Sequence, residues 1–154
     1  MYKLPNLIDC NLAVIGLGYV GLPLALEFAN RKYSCINKKI LKRNIIGFDI
    51  SEKRIRELKK GNDLTKESDL KKIGNLDNLE FTNDESKLIN VDVFIVTVPT
   101  PLDAEKNPNL NCLKEASKVV GSSIGKSKEN NINKIVIFES TVYPGVTEEI
   151  CVPI

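Results

Sequence analysis

A short apolar strand that runs directly into three spaced glycines leaves a chain few choices of fold. Here the stretch is Val14-Ile15-Gly16-Leu17-Gly18-Tyr19-Val20-Gly21-Leu22-Pro23. It reads as a buried strand, a glycine turn and the start of a helix. Gly16 allows the tight turn, Gly18 lets the backbone come close to a pyrophosphate, and Gly21 lets the helix pack hard on the strand. The exposed N–H groups at the helix start face negative charge. A lone G-x-G-x-x-G is weak, but this one follows a strand, opens a helix and is followed by an acidic residue at the end of the next strand. That residue is Asp49, placed to accept hydrogen bonds from an adenosine ribose; its carboxylate repels a 2′-phosphate, which favours NAD over NADP. The alternative for Asp49 is a plain helix-capping or turn aspartate.

The remaining segments alternate strand and helix. Leu12 to Ile15 is the first strand, and Leu22 to Ala29 follows with Leu22, Ala25, Leu26 and Ala29 at helical spacing. Pro23 sits in the first turn, where a missing N–H costs nothing. Ile45 to Asp49 is a second strand. Ser51 is an N-cap for a helix with Ile55 and Leu58 on its apolar stripe, ended by Gly61. Residues 62–78 read as a short helix within a polar loop, Leu79 to Thr82 as a third strand, and β-branched Val91 to Val98 as a buried fourth strand. A loop from Pro99 to Pro108 leads to a helix over Leu110 to Ile124 that closes at Gly125. Ile135 to Phe138 is a fifth strand, Pro144-Gly145 a turn, and Thr147-Glu148-Glu149 the start of another helix. This order predicts an α/β, Rossmann-like doubly wound parallel sheet in a three-layer αβα arrangement. The six-stranded form needs one more strand, so residues 1–154 are expected to be one NAD-binding domain of a longer enzyme.

Composition narrows the functions. Hydrophobic residues make up 42% and charged residues 27% of 154, which suits a soluble domain with a core of its own. A net charge of +2 gives no footprint for nucleic acid, and no apolar run is long enough to cross a membrane. Met1 to Asn6 lack the apolar centre of a signal peptide, so the expected place is the cytoplasm. The chain has no histidine, which removes Ser-His-Asp and Cys-His catalysis. Cys10, Cys35, Cys112 and Cys151 are scattered without a C-x-x-C pair, so they read as reduced thiols and no metal site is expected.

One spacing stands out. Asp49 lies 28 residues after Gly21, where about 20 is usual. The excess falls in residues 31–43, which hold six basic residues and no acidic one. The segment reads as a solvated insertion, with two alternatives: a shelter for the adenine end of the site, or a contact to a partner chain.

Three further motifs end strands at the carboxyl edge of the sheet, where ligands sit: D-I-S-E-K-R at 49–54, V-P-T-P at 98–101 and E-S-T-V-Y-P-G at 139–145. With G-L-G-Y-V-G-L-P at 16–23 they occur in order across essentially the whole chain. On these motifs the chain resembles the N-terminal NAD domain of the UDP-glucose/GDP-mannose dehydrogenase family. Residues 141–149 with Cys151-Val152-Pro153-Ile154 are similar to its UDP-N-acetylhexosamine (Vi-antigen type) 6-dehydrogenase branch. The resemblance implies oxidation of the C6 alcohol of a UDP-sugar to a carboxylate by two hydride transfers to two NAD molecules, with a cysteine thiohemiacetal and thioester between them. It implies UDP-N-acetylglucosamine or a relative as substrate, a surface polysaccharide as destination, and a homo-oligomer for the full-length enzyme. Alternatives are UDP-glucose or UDP-N-acetylmannosamine oxidation, another Rossmann dehydrogenase, or a non-catalytic NAD-sensing module.

Carried onto this sequence, the resemblance implies that the cofactor is held by Gly16, Gly18, Tyr19, Val20, Gly21, Asp49, Arg54, Thr100 and Thr141. Tyr19 and Val20 touch the pyrophosphate through backbone groups, Arg54 lies near the adenosine end, and Thr100 lines the crevice. Thr141 is the one catalytic residue expected here, placing the water that hydrolyses the thioester. The local alternatives are a stiffener of a proline turn for Thr100, a strand-end cap for Thr141 and a solvated helix residue for Arg54. Asn109 replaces the family's common aspartate, and either residue can cap the following helix. None of the four cysteines matches the family's nucleophile, which with its lysine, asparagine and aspartate helpers is expected beyond residue 154. This chain alone is expected to bind NAD without turning over.

Overall fold

The computed structural model describes residues 3–65, 76–127 and 133–154. Five parallel strands form one sheet: β1 (Asn11–Ile15), β2 (Asn44–Phe48), β3 (Leu79–Thr82), β4 (Val93–Val96) and β5 (Ile135–Phe138). Their spatial order is β3-β2-β1-β4-β5. Among the described residues, three α-helices cover it: α1 (Gly21–Asn30), α2 (Glu52–Lys59) and α3 (Asn111–Lys126). The order reverses between β1 and β4, and a doubly wound sheet opens its ligand crevice at the carboxyl end of such a switch point.

The apolar core follows the two-residue period of a strand. Leu12 and Val14 of β1 join Val93 and Ile95 of β4 on one face, packed with Leu22, Ala25 and Leu26 of α1 and Ile55 and Leu58 of α2. Ala13 and Ile15 point the other way with Phe94 and Val96, against Leu113, Ala116 and Val120 of α3. Both faces of the sheet are therefore buried, which is why β1 and β4 read as unbroken apolar runs and not as alternating ones.

Several local expectations are refined. Strand β4 occupies only the middle of residues 91–98. Helix α3 does not close at Gly125; it runs through Lys126, because Gly125 does not adopt the left-handed φ of a glycine cap. Ser51 accepts the N–H of Arg54 at 3.2 Å as the cap of α2. Asn109 Oδ1 accepts the N–H of Asn111 at the start of α3. Residues 147–151 form a single π-helical turn with Cys151 buried. Of the helix expected within 62–78, residues 66–75 lie outside the described residues, while 62–65 form a turn beside the site.

The basic segment 31–43 is a small hairpin. Tyr33 bridges Ile40, the Ser34 N–H donates to the Lys39 carbonyl, and the Leu41 N–H donates to the Lys32 carbonyl, both at 2.9 Å. It joins the end of α1 to the start of β2, which places it at the amino edge of the parallel sheet. There the Lys42 N–H donates to the Ile8 carbonyl at 2.7 Å, just before β1. The hairpin is thus at the opposite end of the sheet from the switch-point crevice, and the alternative that it shelters an adenine site is overturned.

Candidate functional site

Strand register gathers the site. Ile15, Phe48 and Val96 lie side by side as pairing partners, so the next residues, Gly16, Asp49 and Thr97, leave the sheet together. Gly16 turns with φ +95°, a conformation that disfavours a side chain. Gly21 lies so close to the turn that a Cβ there would collide with the Gly16 carbonyl oxygen and the Thr97 hydroxyl. The Thr97 hydroxyl donates to the Gly16 carbonyl at 2.7 Å, locking the turn onto β4. Gly18 differs: a Cβ built on it meets nothing within 4 Å. Its lack of a side chain serves open space and not protein packing.

The helix start is an unsatisfied cradle. Leu22 is the first residue whose N–H bonds back, to the Gly18 carbonyl at 3.2 Å. No acceptor among the described residues takes the N–H groups of Gly18, Tyr19, Val20 or Gly21, and no side chain caps α1. Pro23 has no N–H to satisfy. The side chains of Tyr19 and Val20 are exposed beside this cluster of donors. Such groups at a helix N-terminus attract an anion through hydrogen bonds and the helix dipole together.

Next to the cradle, two charged residues grip the Leu17 backbone. Asp49 Oδ2 accepts the Leu17 N–H at 2.9 Å, and Oδ1 accepts the Ser51 N–H at 2.9 Å. The turn-aspartate reading is therefore real, and each oxygen keeps a lone pair for a further donor. Arg54 Nε donates to the Leu17 carbonyl at 2.9 Å, and Nη2 pairs with Asp63 Oδ1 at 2.8 Å. The Arg54 side chain is only 11% exposed, which excludes a solvated helix residue. Its remaining nitrogen, Nη1, is buried without a hydrogen-bond partner.

These groups open onto a cleft of about 640 Å³. Gly16, Gly18, Asp49 and Arg54 form its base; Ile50 and Leu64 stand on the α2 side, and Pro99, Cys112 and Val119 on the α3 side. An apolar slot with a carboxylate and a diphosphate cradle at one end suits a flat base, a ribose and two phosphates. The open space at Gly18, the unpaired N–H groups and the orphaned Arg54 Nη1 all fit a dinucleotide. Thr100 and Thr141 are not part of this cleft. They lie on the loops after β4 and β5, where the Thr100 hydroxyl donates to the Thr141 carbonyl at 2.6 Å and the Ser140 hydroxyl to the Val98 carbonyl at 2.7 Å. Those two bonds tie the V-P-T-P and E-S-T-V-Y-P-G segments together, and Thr141 is exposed.

The family model for the NAD binding domain of UDP-glucose/GDP-mannose dehydrogenases matches residues 10–154. The chain belongs to that family. NAD is accordingly the cofactor of this domain. Among similar proteins, the UDP-N-acetyl-D-glucosamine 6-dehydrogenase of Pseudomonas aeruginosa is 47% identical over 146 residues, 95% of this chain and 31% of that protein. Protein CapL of Staphylococcus aureus is 45% identical, over 94% of this chain and 30% of that protein. The crystal structure of an NDP-N-acetyl-D-galactosaminuronic acid dehydrogenase from Methanosarcina mazei superposes with a TM-score of 0.75 at 26% identity, covering 98% of this chain and 32% of that one. The chain thus spans about a third of the length of the curated relatives it matches.

Sequence reasoning missed three parts of this dehydrogenase-family site. Thr97 was read only as the tail of a strand, yet it locks the glycine turn. Asp63 falls in the polar stretch read as a short helix within a loop, and the α3 wall with Cys112 is read only as a helix. Only the pattern Gly61-Asn62-Asp63, after a charged helix with a narrow apolar stripe, points to a turn with a carboxylate in it.

Proposed function

We propose that this chain is the NAD-holding domain of a nucleotide-sugar 6-dehydrogenase that oxidises the C6 alcohol of a UDP-sugar to a carboxylate. UDP-N-acetylglucosamine or a close relative is the substrate this reading favours, with a surface polysaccharide as the destination. The observation that carries it is the cradle of unpaired N–H groups at Gly18 to Gly21 beside the Asp49 carboxylate. The identity to the P. aeruginosa UDP-N-acetyl-D-glucosamine 6-dehydrogenase supports the sugar.

Bound NAD supplies a hydride acceptor. The protein's own residues bind and orient. The helix N-terminus receives the diphosphate, with Tyr19 and Val20 contributing backbone donors and Gly16 and Gly21 keeping the turn tight. The free lone pairs of Asp49 accept the ribose hydroxyls, and the buried Arg54 Nη1 is a donor at the adenosine end. The tied loops after β4 and β5 form the floor beyond the cradle. There Thr100 holds the loop carrying the exposed Thr141, whose hydroxyl is the candidate for holding a water near the reacting carbon. The nucleophilic cysteine and its helpers belong, in this reading, to the part of the relatives that this chain does not match, and the complete enzyme is a cytoplasmic homo-oligomer. Among the described residues no helix is long and apolar enough to cross a membrane.

Calorimetric titration of residues 1–154 with NAD and NADP tests the binding half of the proposal. NAD binds, and NADP binds more weakly because a 2′-phosphate would meet the Asp49 carboxylate. Equal affinities for the two would overturn it. In an enzyme carrying this domain, Thr141→Ala slows the hydrolytic half-reaction, and wild-type turnover would remove Thr141 from the chemistry.

A further inference from the structure

The Leu17–Gly18 peptide lies between the first two glycines of the turn, Gly16 and Gly18, and no side chain at Gly18 fixes its plane. A planar trans peptide holds its C=O and N–H antiparallel, so rotating the unit swings both together. Gly18 has no side chain, and a Cβ there would meet nothing within 4 Å, so nothing bulky resists that rotation. Hydrogen bonds are what remain. The Gly18 N–H has no acceptor among the described residues, and the bond at the other end of the unit is Arg54 Nε to the Leu17 carbonyl at 2.9 Å. That single contact sets where the Gly18 N–H points.

Arg54 reaches the carbonyl because its guanidinium is itself held. Asp63 Oδ1 takes Arg54 Nη2 at 2.8 Å, and the same oxygen accepts the Thr65 N–H at 3.0 Å and the Thr65 hydroxyl at 2.7 Å. The Asp63 side chain is 1% exposed. A buried ion pair is a weak source of net stability, because desolvation offsets much of the attraction. A carboxylate that is fully buried, itself anchored by a neighbouring turn, and aimed at an arginine of the site has a better-defined use as a fixed point.

We propose that Asp63 is a positioning residue for cofactor binding: by holding the Arg54 guanidinium it pins the Leu17 carbonyl, and with it orients the Gly18 N–H toward the diphosphate. The inference rests on the reading of the glycine turn as the diphosphate cradle. It makes the turn after α2 a working part of the site, although that turn is more than forty residues from the glycines in sequence.

The test uses residues 1–154 with Asp63→Ala and the near-isosteric Asp63→Asn, which keeps an acceptor but loses the charge. NAD, ADP-ribose and adenosine are titrated by calorimetry or by competition against NADH fluorescence. Both variants lose affinity for NAD and ADP-ribose, Asp63→Ala by about tenfold and Asp63→Asn by less, as expected when a charge-assisted hydrogen bond that sets a binding group is removed. Adenosine, which has no diphosphate and meets the guanidinium only through Arg54 Nη1, loses clearly less affinity than ADP-ribose in each variant. A role confined to stability would lower the unfolding midpoint and leave the affinities of the folded fraction unchanged, and a collapse of the cleft would weaken all three ligands alike; either result overturns the proposal. If the wild type itself binds adenosine but gains nothing from the diphosphate of ADP-ribose, the cradle reading fails, and this inference with it.

Discussion

Two glycines three residues apart should respond to the same substitution in opposite ways. At Gly21 an added Cβ collides with the Gly16 carbonyl oxygen, a backbone atom that cannot yield without moving β1 or α1, and with the Thr97 hydroxyl. Overpacking of this kind costs about 1–3 kcal/mol. Displacing Thr97 also forfeits its 2.7 Å bond to the Gly16 carbonyl, worth about 1 kcal/mol. Gly21→Ala should therefore lose about 2–4 kcal/mol, which for a chain of this size lowers the unfolding midpoint by roughly 4–16 °C. At Gly18 the Cβ meets no protein atom, and φ is not in the left-handed region. Gly18→Ala should leave stability unchanged or raise it by about 0.4–1 kcal/mol, through the narrower unfolded ensemble. Its methyl group instead occupies the space in front of the cradle, so NAD affinity should fall by at least about tenfold, or 1.4 kcal/mol. Circular dichroism melts and NAD titrations of the two variants decide the matter. A Gly18→Ala protein that binds NAD like the wild type, or a Gly21→Ala protein that melts with it, would refute the division of labour between the two positions.

Other outcomes follow from the same geometry. Asp49→Ala removes acceptors from the Leu17 and Ser51 N–H groups as well as the acceptor proposed for the ribose, so NAD binding should weaken by about 1–3 kcal/mol together with a measurable loss of stability; unchanged affinity by calorimetry would end the proposed ribose role. Thiol labelling near neutral pH should find Cys35 and Cys112, which are exposed, fast and Cys10 and Cys151, which are buried, slow. Because Cys112 lines the cleft and Cys35 does not, saturating NAD should protect Cys112 alone, and equal labelling with and without NAD would place the dinucleotide elsewhere. Burial raises the Cys10 thiol above its usual 9.0, outweighing the opposing pull of Arg43. The folded state therefore favours the neutral thiol: its contribution is intact below pH 9 and erodes as the pH rises through the raised value. Urea melts at pH 8 and pH 10 should show a larger loss for the wild type than for Cys10→Ala, and an identical loss would contradict the buried, neutral thiol.

The β1-turn-α1 unit was legible because each of its signals is local. Glycine spacing, the apolar run before it and Pro23 in the first turn act within a dozen residues, so Gly16, Gly18 and Gly21 announce their geometry without help. The same holds for Ser51 as a cap and for the unbroken apolar runs of β1 and β4, which mark strands buried on both faces. Boundaries were less legible: β4 stops at Val96 and α3 passes through Gly125, since an element ends where its partners end and not where a residue type changes.

By itself, then, the sequence determined a doubly wound parallel sheet, a glycine turn opening the first helix and a carboxylate at the end of the second strand, because backbone preference and apolar runs are short-range properties. Tertiary structure alone decided that Thr97 locks the turn, that Arg54 spends two of its nitrogens on Leu17 and Asp63, that α3 supplies a wall of the cleft, and that the basic hairpin stands at the far edge of the sheet. Each of these depends on groups brought together by strand order across 9 to 82 residues of chain, or on which end of a parallel sheet a connection must occupy. Hydrogen bonds over such separations leave no periodic trace in the chain; they exist only once the register of β1, β2 and β4 has set the strand ends side by side.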